Sequence, residues 1–507
     1  MKRAASGIVP VIAVDRKAAK ALHTQIYDAY RTAIVTGSLR PRQRIPSTRV
    51  LATELGVSRF PVLNAYAQLL AEGYFESRVG AGTVVSSLLP DQLTSSGPAR
   101  SGPGSSGSPS SGSTNARFAA AGSGPRQVAR HPNLRGVQRL PWLRGPGAFG
   151  VGQVAADQFP LHVWSKLVAR RCRTMDAASF HYGDQTGFKP LRETLASYLR
   201  TARALHCEAE QVMIVAGSQQ ALEISARVLL DPGSSVWVEE PGYRLAQDAF
   251  ALNGCSLVPV PVDGEGLDVA AGIRRCPKAR AAFVTPSHQY PLGATMSASR
   301  RFQLLEWAQA GGSWVIEDDY DSEYRYESLP IASLQGLDAG ARVIYVGTFS
   351  KVLFPALRLG YIVIPPDLVD AFLTVRRAMD LGPPSFFQEV LADFIGEGHF
   401  ARHIRRMRVL YRERRSALVD SIREELGTMA EVLGGEAGMH LTVTLPTSFR
   451  DVEISERAAR ENLWIWPLSP NYLGEATRSG FILGFGSTDV AEIPRSVRKL
   501  RGLLARR

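Results

Sequence analysis

The sequence is poor in cysteine, in long apolar runs and, relative to its bases, in acids. Four cysteines, Cys172, Cys207, Cys255 and Cys276, are scattered over 507 residues without a Cys-x-x-Cys spacing. That density excludes a disulfide framework and fits a reducing compartment, and no metal-ligand set is predicted. Nothing approaches eighteen uninterrupted apolar residues, so no transmembrane helix is predicted. The apolar stretch Ile8 to Val14 behind Lys2-Arg3 is short and meets Asp15-Arg16-Lys17 directly, so a cytoplasmic protein is expected. Acids number 47 against 59 Lys and Arg, a net charge of +12. Residues 1–85 alone hold 12 Lys and Arg against 5 Asp and Glu, so the N-terminal sixth is matched to a polyanionic partner. What is present is ordinary for globular chains: 45% hydrophobic and 21% charged residues exclude a disordered or fibrous class, and the length suggests two to four domains.

Between Thr94 and Thr114, 17 of 21 residues are Ser, Gly or Pro with a single charge at Arg100. Such a segment cannot bury enough apolar surface to offset its ordering. Treated as a flexible coil it spans roughly 25 Å root-mean-square. The predicted organisation is a module over 15–87, a linker over 88–134 and a larger module over 135–507.

In the first module Leu22, Ile26, Tyr30 and Ile34 fall on one helical face that ends at Thr36-Gly37. A second helix is predicted behind Ser47, through Leu51 and Leu55 to Gly56. A third opens at Ser58 with apolar positions at Val62, Tyr66, Leu69 and Leu70. Phe75 to Val85 reads as a hairpin with a glycine-rich tip. Helix, turn, helix and wing form a DNA-reading geometry in which the third helix enters the major groove. The strings Leu22-His23-x-Gln25-Ile26-Tyr27, Ile45-Pro46-Ser47-Thr48-Arg49 and Gly56-Val57-Ser58-Arg59 resemble the GntR-type winged helix. The resemblance implies double-stranded operator DNA as partner, contacted by Thr48, Arg49, Ser58 and Arg59, with Arg78 and Gly80 at the wing. Two positions depart from the pattern: Arg42-Gln43 replaces the usual Pro-Gly, and Phe60-Pro61 replaces a small polar pair.

The second module alternates short apolar runs with helical stretches. The runs are Val212 to Val215, Ser235 to Val238, Ala281 to Val284, Trp314 to Ile316 and Arg342 to Val346. This alternation predicts a mostly parallel sheet covered on both faces, with ligands outside the carboxyl ends of its strands. The candidate chemistry falls at those ends. Gly347-Thr348-Phe349-Ser350-Lys351 with Arg358 offers hydroxyls and a guanidinium for a phosphate, while the lysine reaches an aldehyde. Ala216-Gly217-Ser218-Gln219-Gln220 opens a helix whose free N–H groups form an anion site. Tyr243 supplies an aromatic plane, and Glu317 to Glu323 a carboxylate for a pyridinium nitrogen.

This order resembles the class I aminotransferase fold, and the whole chain resembles the MocR family of GntR-type regulators. Tyr182-Gly183-Asp184, Thr285-Pro286-Ser287-His288-Gln289-Tyr290-Pro291 and Glu317-Asp318-Asp319-Tyr320-Asp321-Ser322-Glu323 carry the likeness. It implies an α/β protein: a winged helix, a fold type I domain and a smaller α+β C-terminal subdomain. It implies pyridoxal 5'-phosphate (PLP) on Lys351 as an aldimine, Asp318 at the ring nitrogen and Tyr320 near the ring hydroxyl. Tyr243 would stack on the ring, with Ser218, Gln219, Thr348, Ser350 and Arg358 around the phosphate and His288 or Gln289 near the ring hydroxyl. Tyr182 would reach the partner subunit's phosphate in a homodimer. Transaminases of this fold carry an arginine where Ile482 stands, so Arg244 and Arg478 are the candidates for an effector's acidic group. The expected function is a transcription regulator in which an amine or amino-acid effector, or PLP itself, signals at Lys351; the competing reading is a PLP-dependent aminotransferase with an appended DNA-binding module.

Arginine contacts to phosphates make a salt prediction. For about six contacts from a symmetric pair of modules, raising monovalent salt from about 50 to about 200 mM weakens operator binding roughly a thousandfold, measurable by fluorescence anisotropy.

Overall fold

A computed structural model describes residues 14–16, 18, 20–78, 82–86, 147–326, 332–340 and 342–505. The chain divides into two compact units, Met1–Pro125 and Arg126–Arg507. The expected linker, 88–134, lies outside the described residues, as does Gly80.

In the first unit, α1 (Leu22–Val35), α2 (Thr48–Glu54) and α3 (Arg59–Ala71) precede the strands β1 (Phe75–Arg78) and β2 (Gly82–Val85), which pair antiparallel. Ser47 begins α2 as expected, its hydroxyl accepting from the Val50 N–H at 3.3 Å. Ile26, Tyr30 and Ile34 of α1 pack with Val62, Tyr66 and Leu69 of α3. Tyr30, Tyr66 and Phe75 meet edge to face, with centroids 5.3 to 5.6 Å apart, which ties both helices to the wing. Arg42, the first residue of the Arg42-Gln43 departure noted in the sequence, adopts a left-handed backbone with φ 64°. The chain needs that turn, since the Arg42 N–H donates to Val85 O at 2.8 Å and docks the segment on the wing.

The second unit is built on an eight-stranded sheet: β3 (Val212–Val215), β4 (Ser235–Glu240), β5 (Ser256–Asp263), β6 (Gly266–Leu267), β7 (Ala281–Val284), β8 (Trp314–Asp319), β9 (Val343–Thr348) and β10 (Gly360–Val363). The spatial order is β3-β10-β9-β8-β7-β4-β5-β6. Strands β5, β4, β7, β8 and β9 run parallel, while β10 is antiparallel to both β3 and β9. All five strands expected from the sequence are present. Apolar clusters cover both faces. Trp314 and Ile316 of β8 join the cluster that includes Ala221, Leu222 and Phe250, whereas Val315 joins one with Leu304, Trp307 and Leu334. A four-stranded antiparallel sheet follows in the order β11 (Glu431–Leu433), β12 (His440–Leu445), β14 (Ser479–Gly484), β13 (Trp466–Pro467). With the helices Asp451–Arg460 and Ile493–Ala505 it forms the expected smaller α+β part. No described helix is long and apolar enough to cross a membrane.

A left-handed arginine costs about 1–2 kcal/mol, partly offset by the greater freedom glycine loses on folding. Arg42→Gly is therefore expected to stabilise the first unit by about 0.5–1 kcal/mol, read as slower hydrogen exchange of the α3 amides; unchanged or faster exchange would refute this.

Candidate functional site

The carboxylates of β8 are sorted by the period-two alternation of a strand. Glu317 and Asp319 point to the face of Val315. There Glu317 accepts from the Leu334 and Gln335 N–H groups, both at 3.0 Å, capping a short helix. Asp319 pairs with Arg203 at 2.7 Å, the two side chains 1% and 4% exposed, and also accepts from Ser322 and Tyr345. Asp318 points the other way. Its Oδ1 is buried without a hydrogen-bond partner among the described residues. Burial, reinforced by Asp319 and Asp321, pushes its carboxyl up to about 8, against the opposing pull of Lys351.

Lys351 follows β9 in the next turn. Burial lowers its ammonium below the ordinary lysine value, with Asp321 and Asp318 opposing the shift. Gly152, whose φ of 75° favours glycine, stands close to the amine: a Cβ there would lie 2.2 Å from Lys351 Nζ.

The expected phosphate groups gather at one place. Gly217, with φ 93°, precedes the helix Ser218–Leu229, whose first turn carries no side-chain cap. Thr348 Oγ1 donates to Ser350 Oγ at 3.1 Å and accepts from the Ser350 N–H at 3.2 Å. The Arg358 guanidinium donates to the Ala216 carbonyl at 2.9 Å and would lie 3.6 Å from a Cβ placed on Gly217. Gln219 differs from expectation in its amide, which donates to Leu245 O at 2.9 Å and leaves Oε1 buried and unpartnered.

Tyr243 lies half-buried before the helix Arg244–Leu252, with Tyr290 edge-on at 5.5 Å. Tyr290 in turn stands edge-on to Tyr320 at 6.5 Å. The Tyr320 hydroxyl donates to the His288 carbonyl at 2.9 Å and lies 3.1 Å from His288 Nδ1, which is 3.2 Å from Asp321. The side-chain amide of Gln289 ties its loop to the end of β4, donating to Glu239 and to the Pro241 and Tyr290 carbonyls and accepting from the Leu292 N–H. Tyr290, His440 and Gly152 are groups that the sequence reading missed. Tyr290 stood inside a quoted string. His440 and Gly152 carried no signal, because β12 and the loop before the first helix are remote in sequence from Lys351. His440 stacks obliquely 4.6 Å from His288, and burial keeps its imidazole well below the ordinary value, hence neutral.

Both candidates for an acidic effector group have acidic neighbours. Arg244 is 3.7 Å from Asp248 one turn along its own helix, and Arg478 is exposed beside Glu431 and Glu436 at a surface cavity. Ile482 is fully buried opposite Thr442 in β12 and Trp466 in β13. Tyr182 is 87% exposed. In the first unit Arg49, Ser58 and Arg59 are exposed, and Arg59 Nε donates to Thr48 Oγ1 at 3.1 Å, bridging α2 and α3. Arg78 ends β1; its side chain is outside the described set.

Family models describe the same two parts: "Bacterial regulatory proteins, gntR family" over residues 22–85 and "Aminotransferase class I and II" over 148–481. Across 97% of its length the chain is 39% identical to the probable rhizopine catabolism regulatory protein MocR of Rhizobium meliloti, covering 95% of that protein. The chain belongs to the MocR family of GntR-type regulators. This MocR-type regulator is also 30% identical to the pyridoxine biosynthesis transcriptional regulator PdxR of Corynebacterium glutamicum, over 94% of this chain and 95% of that one. Its larger unit resembles the α-aminoadipate aminotransferase LysN of Thermus thermophilus, solved with N-(5'-phosphopyridoxyl)-L-leucine: 30% identity, 72% and 95% coverage, and a TM-score of 0.67.

Because the folded Asp318 binds its proton more tightly than an unfolded aspartate, stability falls as pH rises from about 4 to about 8. In cofactor-free protein, Asp318→Asn is expected to make that slope shallower by up to about one proton, near 1.4 kcal/mol per pH unit. Urea unfolding midpoints across the window test this, and parallel slopes would contradict it.

Proposed function

We propose that this MocR-type regulator binds PLP at Lys351 and uses it to sense a primary amine or amino acid. The observation carrying this reading is the buried, unpartnered Asp318 carboxylate beside a lysine whose ammonium is destabilised by burial. A structural carboxylate in a core is paired, as Glu317 and Asp319 are; one left open fits a cationic ring nitrogen. PLP supplies an aldehyde that condenses reversibly with amines, on an electron-poor ring. In this assignment Asp318 holds a proton on the ring nitrogen, Tyr243 covers one ring face, and Tyr320 lies near the ring hydroxyl with His288 behind it. Ser218, Thr348, Ser350 and Arg358, with the open first turn of the helix Ser218–Leu229, hold the phosphate. Tyr182, too exposed to serve its own chain, belongs to a homodimer in which each copy completes the other's site.

Lys351 is then the group that an effector amine displaces. A freed Nζ changes the contacts of the Gly152 loop, and an effector shifts DNA affinity only by as much as it favours one arrangement over the other. The absence of an arginine at Ile482 argues against the carboxylate clasp of a transaminase, and with it against a turnover enzyme. Operator recognition is assigned to Thr48, Arg49, Ser58, Arg59 and the wing at Arg78 and Gly80, in a cytoplasmic dimer reading two half-sites.

In the PLP-loaded protein, Lys351→Ala is expected to abolish the visible absorption of the lysine-linked cofactor and the effector response while leaving operator binding measurable. Amines and amino acids are screened by absorption, and positives retested on promoter DNA. Loss of all DNA binding in a folded mutant, or keto-acid formation at an enzymatic single-turnover rate, would overturn the sensor reading.

A further inference from the structure

Helix α3 is apolar on two faces. Val62, Ala65, Tyr66 and Leu69 close the core of the first unit. On the opposite side Phe60 is 71% exposed and Leu63 41% exposed, and Asn64 and Ala67 continue the same solvent-facing stripe. Exposed leucines are common on protein surfaces, but a phenylalanine and a leucine one turn apart, both exposed and outside the core of the unit, form an apolar stripe on the solvent side.

The start of the helix is open as well. Ser58 is the N-cap, yet no helix N–H donates to its side chain, in contrast to Ser47 of α2. The cause is Pro61: it occupies the third helical position, whose N–H the cap would otherwise accept, and proline has none. The Ser58 hydroxyl is left for another molecule. Beside it stands Arg59, tied to Thr48, and α3 contains no acidic residue from Arg59 to Ala71. Phe60 therefore sits in a basic, hydroxyl-bearing setting, complementary to a polyanion that also presents apolar groups. In the major groove of DNA the apolar group on a base edge is the C5-methyl of thymine.

We propose that Phe60, with Leu63 one turn further along, packs on thymine methyl groups in the major groove and sets the base preference of this regulator. Ser58 and Arg59 hold the helix start against the backbone, and the aromatic ring reads the base edge. The chain thus replaces hydrogen-bonded readout at this position with contact to a methyl group, and its operators carry thymine beneath the first turn of α3.

The test selects binding sites from randomised duplexes with the full-length protein and with Phe60→Asn. Single thymines of the preferred site are then exchanged for deoxyuridine, which removes the methyl group and nothing else. The native protein is expected to require a thymine that the variant does not, and uridine at that position weakens native binding about three- to fivefold while leaving the variant unaffected. Both proteins keep the same salt dependence, since phosphate contacts are untouched. Circular dichroism confirms that the substitution, at an exposed position, preserves the fold, and Leu63→Gln repeats the test one turn on. Identical site preferences for native and Phe60→Asn protein, or indifference of the native protein to uridine, would overturn the proposal. So would a change of oligomeric state with DNA preference intact, which would make the stripe a protein contact.

Discussion

The larger unit depends on the placement of negative charge at the carboxyl end of β8. Three consecutive acidic residues are buried there, and each ionised carboxylate taken from water must be repaid locally or lose its charge. Two are satisfied from one side of the sheet, Glu317 by helix N–H groups and Asp319 by Arg203, Ser322 and Tyr345. Those bonds draw the helices Lys189–Arg203 and Leu334–Leu337 against the strand. Asp319 keeps one oxygen in these bonds, whereas Asp318, on the opposite face, has its Oδ1 buried without a hydrogen-bond partner among the described residues and is oriented by the pleat. The same strand thus anchors the scaffold on one face and offers chemistry on the other.

Much of this was legible in the sequence where local and global signals agreed. The five apolar runs are strands because each is short, β-branched and flanked by helical periodicity, and Ser47 caps α2 because its hydroxyl has an N–H three residues on. The placement of Thr348, Ser350 and Ser218 was legible because strands of like direction, such as β3 and β9, carry their carboxyl ends to one edge of the sheet. The antiparallel β10 and the register of the four-stranded sheet were not, since pairing partners far apart in sequence leave no periodic trace. His440 and Gly152 escaped for the same reason: nothing near them in the chain resembles a site, and only the folded sheet brings them to Lys351. Gln289 shows the converse, a residue in a telling string whose amide ties two loops of the scaffold together.

The smaller unit shows how substitutions that look like defects acquire meaning. Arg42 accepts an unfavourable backbone because the turn must still bring its N–H to Val85. Pro61 removes a capping bond yet leaves the helix intact, since a first-turn N–H has no intrahelical acceptor to lose. What each change costs in local regularity it returns as a surface unlike that of a residue-for-residue average of the fold.

The groups around Lys351 come from every part of the larger unit, from the Gly152 loop to His440 in the second sheet. No fragment of that unit contains the cleft. A molecule that fits only the assembled cleft adds its own binding free energy to the folding of the whole unit, in proportion to the logarithm of its concentration. The amount of intact regulator in a cell is thereby tied to the supply of whatever fills the cleft, so scarcity of that molecule lowers the number of folded copies as well as the occupancy of their clefts.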